Sequence, residues 1–64
     1  MIRLLSRVRY PEFMNEDLIV SVDGKEYKYR AITCVVDEFA RMLKKKMGYR
    51  ALNYLKVRSS LIKW

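Results

Sequence analysis

The sequence predicts an α+β fold: a three-stranded antiparallel sheet in β-β-β-α order, with one main helix on one face and a short C-terminal helix. Three observations carry this. Asp23-Gly24 separates two β-prone runs, LIVSV and KEYKYRAI. An apolar stripe at helical spacing follows between Thr33 and Met47. The first ten residues alternate apolar and basic side chains, as a third strand would.

Asp-Gly between alternating apolar residues is a strong hairpin signal. Glycine takes the positive φ of such a tight turn without steric cost. With Asp23 and Gly24 as the loop, Val22 faces Lys25, Val20 faces Tyr27 and Leu18 faces Tyr29. Directly opposed residues share a face. Leu18, Val20, Val22, Tyr27 and Tyr29 therefore form an apolar surface for the helix, and both tyrosines read as core. Ile19, Ser21, Glu26, Lys28 and Arg30 lie on the other side.

Met1 to Tyr10 fits two patterns. Ile2, Leu4, Val8 and Tyr10 alternate with Arg3, Leu5, Arg7 and Arg9 as in a strand, whereas Met1, Leu4, Leu5 and Val8 have helical spacing. The strand is preferred, because an isolated hairpin is marginal and Tyr10 precedes Pro11. It places Arg3, Arg7 and Arg9 on an open basic face with Lys28, Arg30, Leu5 and Ile19. Pro11 to Asp17 reads as a loop, with Phe13 and Met14 tucked under the sheet.

In the main helix, Val36, Phe39, Ala40, Leu43 and Met47 recur on one face. Thr33 is the expected N-cap and Gly48 the expected left-handed residue after the C-terminus. Asp37 and Glu38 near the start and Lys44, Lys45 and Lys46 at the end suit the helix dipole. A shorter helix over Tyr49 to Val57 turns Ala51, Leu52 and Leu55 inward. Leu61, Ile62 and Trp64 form an apolar tail, expected to cover Leu5 and Ile19 on the open sheet face.

The chain has 64 residues and reads as a single small domain, with a core over 2–57 and a tail over 58–64. Its one cysteine, Cys34, precludes an internal disulfide and suits a reducing compartment, so a cytoplasmic protein is expected. Cys34 itself reads as a small buried apolar residue. No apolar run approaches the roughly 20 residues of a spanning helix, so no membrane insertion is expected. There is no histidine and no glycine-rich phosphate loop. Neither an enzyme, a metal site nor a cofactor is expected.

The net charge of +7 is unevenly spread. Every acid precedes Phe39, and the remainder carries Arg41, Lys44, Lys45, Lys46, Arg50, Lys56, Arg58 and Lys63. An uncompensated basic block suits an anionic partner, and it also suits a solvated helix face. The candidate nucleic-acid-binding residues are Arg41, Lys44, Lys45, Lys46 and Arg50, with Tyr49 and Tyr54 interleaved as stacking surfaces. RNA is preferred to DNA as the partner. The alternative is a protein-interaction module, such as a small phage or viral regulator. It would use Leu61, Ile62, Trp64, Phe13 or Met14 to hold a host protein or a second copy of itself.

Leu18, Val20, Val22, Gly24, Tyr27 and Tyr29 form an L-x-V-x-V, glycine turn, Tyr-x-Tyr series that resembles the KTSC domain. That family is named after the C-terminus of some lysyl-tRNA synthetases. Tyr10 stands where the family ends its first strand in tyrosine, and Gly48-Tyr49 with Asn53 resembles its late glycine-aromatic-asparagine segment. The resemblance spans roughly residues 6–56. Cys34 and Val35 stand near the place of the family's proline after the second tyrosine. The resemblance implies a β-β-β-α core with a short final helix, and an RNA-binding role.

Overall fold

Asp23 and Gly24 both have positive φ, 51° and 91°, and close a tight turn between strands β2 (Asn15–Val22) and β3 (Lys25–Ile32). The computed structural model describes residues 1–61. Strand β1 (Ile2–Tyr10) pairs with β2, giving an antiparallel sheet of order β1-β2-β3. Helices α1 (Thr33–Lys44) and α2 (Gly48–Ser59) follow and pack on the sheet and on each other. Among the described residues no helix is long and apolar enough to cross a membrane.

The β2–β3 register is the one read from the turn: Val22 opposite Lys25, Val20 opposite Tyr27, Leu18 opposite Tyr29. Leu18, Val20 and Ala31 from the sheet meet Val35, Val36 and Phe39 of α1 and Ala51, Leu52 and Leu55 of α2. Tyr29 packs half-buried against this core. Tyr27 shares its face but lies nearer the hairpin turn and stays exposed, so only one of the two tyrosines behaves as core.

β1 departs from simple alternation. Ile2 and Leu4 oppose Val22 and Val20, but the register shifts between Leu4 and Ser6, so Arg7 opposes Leu18 and Arg9 opposes Glu16. Leu5 is the extra residue of a β-bulge. Beyond it every side chain changes face. Arg7 and Arg9 therefore belong to the helix side rather than to the open basic face expected for them. Ser6, Val8 and Tyr10 take the outer face with Arg3.

The reason lies opposite, in β2. Residues Asn15 to Asp17 extend this strand where a loop was expected. The alternation that buries Leu18 and Val20 turns Glu16 toward the helices, where it is 1% exposed. A buried carboxylate is costly unless paired and hydrogen-bonded. Arg7 meets it with a two-pronged contact, Nε to Oε1 at 2.8 Å and Nη2 to Oε2 at 3.0 Å. The same Nη2 donates to Asp37 Oδ1 of α1 at 3.2 Å, tying strand to helix. Asp17, on the opposite face and 7% exposed, accepts from Arg30 Nε at 2.8 Å and from the Tyr10 hydroxyl at 3.0 Å. Each arginine holds its carboxyl below the ordinary value.

Several local expectations change with this packing. Thr33 does not cap α1: its hydroxyl donates to the Met14 carbonyl at 3.1 Å, and Ile32 stands at the N-cap without a side-chain bond. Cys34 is exposed rather than buried, because α1 turns Val35 and Val36 to the core. Phe13 and Met14 do not tuck under the sheet; each is 70% exposed, since β2 begins at Asn15 and leaves them on the turn before it. The expected cover of the open face falls largely on residues 62–64, outside the described residues, and Leu61 is exposed.

Arg7→Leu should cost about 3 kcal/mol, because it leaves the Glu16 carboxylate buried without its main partner. The double change Arg7→Leu with Glu16→Leu should recover most of that loss. Both carboxyls have depressed folded values, so their contribution is complete above the ordinary carboxylate range, about pH 4, and is lost as pH falls below it. The Arg7→Leu deficit should therefore shrink in acid, where the stranded Glu16 takes a proton. Urea melts of the three proteins at neutral pH and at about pH 3 check the sign.

Candidate functional site

Lys44, Lys45 and Lys46 occupy the corner between the two helices, and the corner differs from the one expected. α1 ends at Lys44, before the Met47 boundary expected from sequence, and Gly48 opens α2. The left-handed position belongs to Lys46, with φ 60°. Its N–H donates to the Leu43 carbonyl at 3.0 Å, and the Met47 N–H donates to the Met42 carbonyl at 3.0 Å. These paired bonds are a Schellman ending, with lysine where glycine is usual. Beyond this ending Gly48 lies beside Ile2, where an added Cβ would stand at an ordinary contact distance of 3.8 Å from Ile2 Cδ1.

The early stop changes the electrostatics. As the tail of a long helix, three lysines complement a negative dipole end. Here the N-terminus of α2 begins immediately after them, and its dipole end is positive. Met47 caps it without a side-chain bond, and no acid lies in its first turn. Arg50 adds another cation within that turn. The first amides of a helix have no intrahelical acceptor. Cationic side chains thus gather at a positive helix end, an arrangement that an anion would relieve.

The acids lie elsewhere. Glu16 is engaged by Arg7 and, at 3.9 Å, by Arg9; Asp17 by Arg30; Asp37 by Arg7; and Glu38 by Arg41 at 3.4 Å. Among the described residues, Lys44, Lys45, Lys46 and Arg50 have no ion pair, and all are exposed. Asp23, in the hairpin turn, lies at this end of the molecule, with Glu26 close by at the start of β3. Asp23 binds the N-terminal amine and accepts from the Tyr49 hydroxyl at 2.7 Å. The amine and then Tyr49 hold the Asp23 carboxyl below its ordinary value, and the bond to Asp23 raises the Tyr49 hydroxyl above its own.

The sequence candidates therefore divide. Lys44, Lys45, Lys46 and Arg50 share the corner, and Tyr49 stands beside them with its hydroxyl anchored and its ring exposed. Arg41 is partly committed to Glu38. Tyr54 packs half-buried against the core, with Arg58 5.6 Å from its ring centroid, and offers little stacking surface. Among the described residues no cluster of three or more cysteine, aspartate and glutamate side chains could hold a metal.

A second grouping escaped the sequence reading. Tyr10, Phe13, Asn15 and Arg30 line a cleft of about 380 Å³ at the far end of the sheet. Arg30 lies 5.6 Å from the centroid of the Tyr10 ring. The one available signal was Asp17 opposite Arg30 in the hairpin register, which marks a polar focus on the outer face. That Tyr10 joins it depends on the bulge at Leu5.

Lys46→Gly should raise stability by about 1 kcal/mol, since only glycine takes this left-handed position freely. A thermal melt reads this as a higher midpoint; an unchanged or lower one would remove the strain assigned to Lys46.

No family model, no curated protein and no solved structure matches this chain.

Proposed function

We propose that the protein is a small, basic, non-catalytic nucleic-acid-binding domain that grips the phosphates of an RNA strand. The observation that carries this is the α1–α2 corner. Exposed cations without ion pairs among the described residues sit at an uncapped helix N-terminus, with Tyr49 alongside. Phosphate contacts of this kind supply affinity without sequence readout. Lys46 supports the reading, because a strained lysine persists where glycine would be more stable. The KTSC-like series from Leu18 to Tyr29 supports RNA over DNA.

A second reading rests on Phe13 and Met14. Their exposure, and the left-handed φ of 54° at Met14, suit a protein-interaction module that inserts apolar side chains into a partner.

Salt separates the two. If about four phosphates of a single strand are engaged, log affinity falls against log salt with a slope near −2.8, a roughly 50-fold loss between 50 and 200 mM. Changing Lys44, Lys45 and Lys46 to glutamine should weaken binding to all sequences alike and flatten the slope. Fluorescence anisotropy of a labelled RNA oligomer reads both. An absence of binding at 50 mM salt would overturn the nucleic-acid reading and favour the protein partner.

A further inference from the structure

The cleft at the opposite end of β2 lies on the outer sheet face. The turn at Asp23 and the cleft residue Asn15 are separated by the length of β2, about 24 Å at the usual rise per residue. Tyr10 and Arg30 reach this face because the bulge puts Tyr10 opposite Asn15, and Arg30 opposes the neighbouring Asp17. Asp17 accepts from Arg30 Nε at 2.8 Å, from Arg30 Nη2 at 3.3 Å and from the Tyr10 hydroxyl at 3.0 Å. Ring and guanidinium are thus set in place before any ligand arrives, and the one buried acid on this face is neutralised.

The backbone at Phe13 is held by hydrogen bonds. Its N–H donates to the Tyr10 carbonyl at 3.1 Å, and the Met14 N–H to the Pro11 carbonyl at 3.3 Å. The Thr33 N–H donates to the Met14 carbonyl at 2.8 Å. An exposed aromatic ring on a doubly bonded turn, beside a fixed ring and a fixed guanidinium, is a platform for a flat ligand.

We propose that Tyr10, Phe13, Asn15 and Arg30 form a stacking site for one unpaired base of the bound strand, an inference that rests on the nucleic-acid reading above. The lining selects the chemistry. An apolar side chain would fill the cleft but leave the Asn15 amide without a matching polar group. A nucleobase presents two π-faces and a polar rim, and so meets both kinds of lining group. Lys28 shares this face and favours the attached phosphates, while Glu12 in the adjoining turn opposes them.

The test uses the full chain and two labelled single strands of equal length, one ordinary RNA and one abasic, with the same phosphates and no bases. Phe13→Ala removes an exposed ring, and an unchanged thermal midpoint will show the fold intact. Phe13→Ala should weaken binding of the ordinary strand by at least about fivefold, with the abasic strand and the salt slope unchanged. Phe13→Trp should retain the wild-type affinity. If Phe13→Ala binds both strands as the wild type does, or weakens both equally, the stacking site is overturned and the phosphate reading stands. If the wild type binds neither strand, both fall together.

Discussion

Burial of Glu16 constrains much of this small protein. β2 buries Leu18 and Val20 by turning them toward the helices, and strand geometry turns Glu16 the same way. A carboxylate there is tolerable only with a cation in contact, and the bulge at Leu5 brings Arg7 to that position. The consequences spread in two directions. Arg7 also reaches Asp37, so the charge pair helps seat α1 on the sheet. The same change of face sends Tyr10 outward, where it joins Asp17 and Arg30. One extra residue in β1 thus settles a buried contact on one side and composes the cleft on the other.

The helix corner is marked by the early end of α1. Beyond the Schellman ending at Lys46, Gly48 lies beside Ile2 and the Tyr49 hydroxyl donates to Asp23. Lys46 takes the left-handed position of the turn at an energetic cost. Lysines that would have balanced one helix end are left between two ends of opposite sign. This weakens the purely structural account of the basic block. Four of the seven acids are held by arginines elsewhere: Arg7, Arg9, Arg30 and Arg41 take up Glu16, Asp17, Asp37 and Glu38. Arginine suits such fixed, two-pronged contacts, whereas lysine remains a mobile point charge.

Much of the fold was legible in the chain. Asp23-Gly24 specified the hairpin and its register, because the turn admits two loop residues and side chains alternate strictly from there. The spacing of Val36, Phe39 and Leu43, and of Ala51, Leu52 and Leu55, placed two amphipathic helices. The cationic candidates were legible too, since charge is a property of composition. The outer cleft was not. Alternation in residues 1–10 gives one parity throughout, and no local pattern at Leu5 announces a bulge.

By itself, then, the sequence determined what depends on neighbours along the chain: the tight turn, the strand and helix periods, the basic C-terminal half and the lack of histidine. Tertiary structure alone decided what depends on neighbours across the chain. Glu16 needs an arginine that only a shifted β1 can supply, and that shift assigns Tyr10 to the outer face. Gly48 beside Ile2 and Tyr49 bonded to Asp23 are likewise contacts across the chain, and they accompany the stop of α1 at Lys44 and the start of α2 directly after the lysines. The physical reason is plainest at Glu16: a buried carboxylate must be satisfied in three dimensions, and the alternation of β1 yields by one residue to bring Arg7 to it.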